Sequence, residues 1–105
     1  MTAEDIVFSY ERVPNVPNSP SSFATYTAGI AEITIVDDYT LQFKTNGPYP
    51  LLPIDLSTIQ IVSSENPDAT TEEYNAGPAS VGTGPYKFVS YTPGESIVLE
   101  ANADY

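Results

Sequence analysis

The chain has 105 residues, 41% of them hydrophobic, which is enough for one modest core and too little for two. Fourteen acids against three bases give a formal net charge of −11, so the surface lacks the clustered cations with which proteins hold nucleic acid or anionic membrane. Cysteine and histidine are absent, which excludes disulfides, thiol chemistry and the usual neutral-pH proton shuttle, and no apolar run approaches the ~20 residues of a membrane helix.

Thr2-Ala3-Glu4-Asp5 predicts a helix start, with Thr2 as N-cap, Asp5 in the reciprocal capping position and two acids in the first turn. Ile6, Tyr10 and Val13 recur at one-turn spacing and form an apolar stripe. Pro14 and Pro17 end this helix, and Arg12 complements the dipole at its last turn. Residues 14–27 read as a proline-rich surface loop, with a helical turn around Ser22 to Tyr26.

Ile33 and Ile35 alternate with Glu32 and Thr34, and Leu41 and Phe43 with Gln42 and Lys44, which predicts a β-hairpin with one polar face. Residues paired across an antiparallel ladder share a face, so Ile35 belongs opposite Leu41 and Ile33 opposite Phe43. That register needs an odd-length loop, most simply Asp37-Asp38-Tyr39. Leu51 to Leu56 is apolar but contains Pro53 and reads as a short helix or packed turn, Ile59 to Ser63 as a short strand, and Glu65 to Pro78 as an acidic surface loop.

Val81-Gly82-Thr83-Gly84-Pro85-Tyr86-Lys87-Phe88 is a glycine-rich turn opening into an alternating aromatic strand. A phosphate-binding loop would run into Lys-Ser/Thr and a helix, so this one reads as a structural turn that sets Tyr86 and Phe88 into a core. Thr92-Pro93-Gly94-Glu95 has the Pro-Gly order of a type II turn. A four-residue loop there predicts Tyr86 opposite Ala101, Phe88 opposite Leu99 and Ser90 opposite Ile97, with Lys87 facing Glu100 on the outer side. The expected fold class is therefore α+β: an antiparallel sheet of two hairpins plus a short strand, one apolar face covered by the N-terminal helix, with long surface loops, all within a single domain over residues 1–105.

No constellation for catalysis, metal or cofactor binding is legible. Asp37/Asp38 and Glu72/Glu73 are adjacent in sequence, neighbours on a strand point oppositely, and a turn accounts for Asp37-Asp38 through Asx hydrogen bonding. Eight tyrosines are unusual for this length; Tyr26, Tyr49, Tyr74 and Tyr91 are the candidates for exposure, although tyrosine also fills the edges of a core that has no Trp.

Taken together, Thr2-Ala3-Glu4-Asp5-Ile6-Val7-Phe8-Ser9-Tyr10-Glu11-Arg12, Val36-Asp37-Asp38-Tyr39-Thr40-Leu41, Val81 to Phe88, Pro93-Gly94 and Leu99 to Tyr105 resemble, in order and separation, the family 5 extracellular solute-binding proteins, the peptide- and nickel-binding components of ABC transporters. Each motif alone is weak; their order carries the resemblance. It implies a piece of a two-lobed protein several times longer, matching the smaller subdomain of its first lobe, with both ends cut and the interface to the missing lobes exposed. It also implies a non-catalytic, extracytoplasmic function without cofactor or metal in this segment. The implied partners are the remaining lobes, an ABC permease and a peptide or similar small solute. Gly82, Thr83, Gly84, Pro85 and Tyr86 match the family hallmark as architecture rather than as ligand contacts. The alternative from another class is a free-standing extracellular adhesion or carbohydrate-binding module using exposed tyrosines.

Overall fold

Helix α1 spans Ala3–Arg12 in the computed structural model, which describes all residues, Met1–Tyr105. The chain divides into two units, Met1–Ser64 and Glu65–Tyr105.

In the first unit the helix begins as the sequence predicts: the Thr2 N–H donates to Asp5 Oδ2 at 2.7 Å, satisfying an amide that the helix itself leaves without a partner. Val13–Asn15 tightens into a 3₁₀ turn around Pro14, and Ala24–Tyr26 forms another within the Ser22 to Tyr26 stretch. Strands β1 (Ile30–Asp37) and β2 (Thr40–Thr45) pair antiparallel, with Ile33 opposite Phe43 and Ile35 opposite Leu41, the expected register. The odd residue sits elsewhere than expected. Asp37 pairs with Thr40, leaving Asp38-Tyr39 as the turn and Val36 as a bulge within the strand. A second irregularity, at Ala31, brings Ile30 opposite Thr45.

Helix α1 packs on the apolar face of this hairpin over Phe43 and leaves Ile35 exposed. The Tyr10 ring meets Phe43 edge to face at 5.5 Å, and the Ala3 N–H donates to the Asp38 carbonyl at 2.8 Å. Tyr10 is buried, and its hydroxyl finds the Leu56 carbonyl at 2.9 Å, which removes the cost of burying it. Leu56 lies on α2 (Leu52–Ser57), a short helix that tolerates Pro53 because proline at the first turn forfeits no helical bond.

Residues Ile59–Ser63 do not form the expected strand. Here the hydroxyl of Ser9, buried on α1, takes the place of a neighbouring strand: Oγ accepts the Val62 N–H at 2.9 Å and lies 2.7 Å from the Asp5 carbonyl and 3.2 Å from that of Val62. Asp5 Oδ1 then receives both the N–H and the hydroxyl of Ser64, each at 2.9 Å. The segment is thus tied to a helix by side chains, with Ile59 buried.

In the second unit, the stretch expected as loop contains helix α3 (Thr71–Ala76). Thr70 and Glu73 form its capping box, the Glu73 carboxylate accepting the Thr70 N–H at 2.8 Å, and Gly77 ends it at φ 103°. Strands β3 (Tyr86–Thr92) and β4 (Ser96–Ala101) form the other hairpin. Tyr86 pairs with Ala101, Lys87 with Glu100 and Phe88 with Leu99 as expected, but Ser90 pairs with Val98 rather than Ile97. The loop has three residues, Pro93-Gly94-Glu95, closed by the Glu95 N–H on the Thr92 carbonyl with Gly94 at φ 75°, and Val89 is the bulged residue that absorbs the shift.

The two hairpins do not join one sheet, as the sequence suggested; each is a separate two-stranded ladder. Residues 46–85 form α2, α3 and turns and supply no strand to bridge them. The α+β class stands, as two hairpins with short helices.

Candidate functional site

The glycine-rich turn leads into strand β3, not a helix, so no helix N-terminus faces it. Neither Gly82 nor Gly84 takes a positive φ, and a Cβ at either would meet nothing within 4 Å, so the conformational freedom of glycine is not what this turn uses. It is held by the residue that follows β4 at the same, open end of the hairpin. Asn102 donates from Nδ2 to the Gly84 carbonyl at 2.9 Å and from its N–H to the Pro85 carbonyl at 2.8 Å.

One acid of each adjacent pair is engaged locally. Asp37 Oδ1 accepts the Tyr39 N–H at 2.9 Å, the Asx turn expected, and that bond holds the Asp37 carboxyl below its ordinary pKa. Glu73 caps α3. No three carboxylates gather where they could hold a metal ion. Lys87, placed opposite Glu100 by register, directs its ammonium to Asp104 instead, at 4.0 Å and in solvent, where an ion pair contributes little.

Of the four candidate tyrosines, Tyr26 and Tyr91 are exposed, while Tyr49 and Tyr74 are half-buried. Tyr49 lies against Gly29 and donates to the Asp55 carboxylate, a bond that raises the phenol's pKa. Tyr86, expected in a core with Phe88, is exposed. Only Phe88 is covered on that strand, its ring lying directly over Gly77 where a Cβ would collide with it. The six-residue helix α3 is too short to shield more of the hairpin.

A groove of about 230 Å³ opens in the first unit between the end of α1 and the Thr58–Val62 segment, with Val16, Phe23 and Ile59 in its walls and Ser9 and Arg12 among its polar groups. Sequence reasoning passed over it because its walls come from three separated segments. The one signal was Ser9, a hydroxyl on the same helical face as Ile6, Tyr10 and Val13, where a polar group must find a partner. The groove sets apolar side chains beside one guanidinium and several hydroxyl and amide groups, with no carboxylate among its lining residues.

The whole chain, residues 1–105, matches the profile of the bacterial extracellular solute-binding proteins, family 5 Middle. The chain belongs to this family. Among curated relatives, it is 30% identical over 122 residues to the dipeptide-binding protein of Escherichia coli, covering all of this chain and 22% of that one. It is also 29% identical over 109 residues to the peptidoglycan-binding protein YepA of Agrobacterium fabrum, covering 100% of this chain and 17% of the relative. Solved structures share its fold, among them two with ligands bound. NikZ from Campylobacter jejuni, in complex with Ni(L-His), superposes with a TM-score of 0.67 at 31% identity over 96% of this chain and 20% of its own. The periplasmic binding protein DppA from Helicobacter pylori, in complex with the peptide STSA, gives 0.66 at 29% identity over 99% and 23%. The chain spans about a fifth of the length of the relatives it matches.

Proposed function

We propose that this chain is a non-catalytic segment of an extracytoplasmic substrate-binding protein that delivers peptides or similar solutes to an ABC transporter. The observation that carries this reading is the family match over every residue, joined to relatives whose names refer to peptide and whose solved structures hold a peptide or a nickel complex. Engagement of Asp37 in a turn and Glu73 in a helix cap, and a groove without convergent acid and base, support a binding role over chemistry. No helix is long and apolar enough to cross a membrane.

The segment is best read as one subdomain of the first lobe, with the solute enclosed by parts of the protein beyond it and with the permease as the partner of the whole. Calorimetry tests this directly. The complete gene product should bind a mixed short-peptide pool, whereas residues 1–105 alone should give no saturable heat. Specific micromolar binding by the isolated chain would overturn the assignment of solute contacts elsewhere. A free-standing carbohydrate-binding module would instead show saturable binding of oligosaccharides to exposed tyrosines in the isolated chain.

A further inference from the structure

The Val89 bulge has a consequence for the surface of the second hairpin. Paired residues share a face, and the bulge shifts the alternation of β3 by one residue, so Tyr91 and Ile97 fall on the same side as Phe88 and Leu99. One face therefore carries Tyr86, Phe88, Tyr91, Ile97, Leu99 and Ala101 without a polar interruption. The other carries Lys87, Ser90, Thr92, Ser96 and Glu100 together with Val98, and the bulged Val89, next to Phe88 in the strand, projects away from the Phe88 face. Without the bulge, Ser90 would stand opposite Ile97 and break the apolar face.

This face is built as a core face yet stands open: Tyr86 is 64%, Tyr91 41%, Ile97 66% and Leu99 52% exposed, and every residue of β4 is exposed. An isolated two-stranded hairpin is marginal in water, and so contiguous an apolar surface marks an interface. The first hairpin provides the contrast within the same chain, since its equivalent face has α1 packed on it through Tyr10 and Phe43. Both long edges of the β3–β4 ladder are likewise unpaired.

We infer that the face of Tyr86, Phe88, Tyr91, Ile97 and Leu99 is a docking surface covered by an apolar layer of polypeptide belonging to the longer protein. The inference rests on the reading of the chain as a segment of a solute-binding protein, since the matched proteins carry about four-fifths of their length outside the matched region. A sugar-binding platform would present aromatic rings rimmed by hydrogen-bonding groups; here the branched aliphatic Ile97 and Leu99 fill the space between the tyrosines, the composition of a packing surface.

The test compares the triple variant Tyr86→Ser/Ile97→Thr/Leu99→Thr with the parent, in the isolated chain and in the complete gene product. In the isolated chain, the variant should lose most of the parent's enhancement of a hydrophobic dye's fluorescence while keeping the same thermal midpoint, because the three replaced side chains are each more than half exposed and Phe88, the residue of this face that packs on Gly77, is unchanged. In the complete gene product, the same substitutions should lower the midpoint by several degrees and speed hydrogen exchange of the β3 and β4 amides. An unchanged midpoint in the complete product would overturn the inference, as would destabilisation of the isolated chain to the same extent. A parent that is a dimer by light scattering, made monomeric by the substitutions, would reassign the face to a second copy; saturable oligosaccharide binding lost in the variant would reassign it to a glycan. These readouts do not depend on solute binding, so they stand whether or not the peptide titration succeeds.

Discussion

The Asn102 side chain donates from Nδ2 to the carbonyl of Gly84 at 2.9 Å, so the residue that follows β4 closes the open end of the hairpin against the turn that precedes β3. Two motifs that are separate in sequence are therefore one structural device. The Asn102 N–H adds a bond to Pro85, and its Oδ1 accepts the Asp104 N–H at 3.2 Å.

Replacing Asn102 by Ala should cost ~1 kcal/mol and raise exchange of the β3 and β4 amides about fivefold. Asn102→Asp should cost more at neutral pH, because a carboxylate would face the Gly84 carbonyl without a proton to donate. Below pH ~4 the Asp side chain regains a proton and much of the loss should be recovered, which hydrogen exchange across that range would show. Equal losses for Ala and Asp at pH 7 would refute this role for the amide.

Gly77 should tolerate no side chain. Its φ of 103° costs an L-residue about 1–2 kcal/mol, and a Cβ there would also collide with the Phe88 ring. Gly77→Ala should therefore destabilise the second unit by more than the backbone term alone. Placing the same substitution in a Phe88→Ala background should reduce its cost to roughly 1–2 kcal/mol, since only the backbone term remains. Denaturant melts of the four proteins close the cycle.

Asp5 should make stability fall in acid. Its carboxylate accepts the Ser64 N–H, the Thr2 N–H and the Ser64 hydroxyl, bonds that hold its pKa below the ordinary 3.8 with the Ser64 amide as the largest cause. A folded-state pKa below the unfolded value gives stability that is present above the unfolded pKa and lost as pH falls through the folded one. Asp5→Asn should cost roughly 1–3 kcal/mol at pH 7, and the gap to the parent should narrow progressively as pH falls below the ordinary carboxyl range. A gap that persists undiminished at pH 2.5 in thermal melts would exclude the carboxylate charge as its source.

Much of the local structure was legible. The capping box of Thr2 and Asp5, the Ile33–Phe43 and Ile35–Leu41 pairs and the lower half of the second ladder follow from patterns within a few residues, where propensity and alternation act directly. Helix α3 was also written in the sequence, as Thr70 and Glu73 at capping-box spacing followed by Gly77, but acidic and turn-forming neighbours masked it. The bulges at Val36 and Val89 could not be placed, because alternation counts an extra residue without saying whether the loop or the strand absorbs it. The Ile59–Ser63 stretch was misread for a related reason: its composition suits a strand, but Val62 bonds to Ser9 on α1, and Ser64, the residue that follows the stretch, to Asp5.

The sequence by itself determined the family, the α+β class and the absence of thiol and histidine chemistry, because these depend on residue identity and order. Only the tertiary structure decided that the hairpins form separate ladders, that α1 packs on one of them, and that the Val89 bulge assembles a continuous apolar face on the other. The reason is physical: alternation specifies which side chains share a face, but whether that face meets a helix or water depends on contacts between segments far apart in the chain.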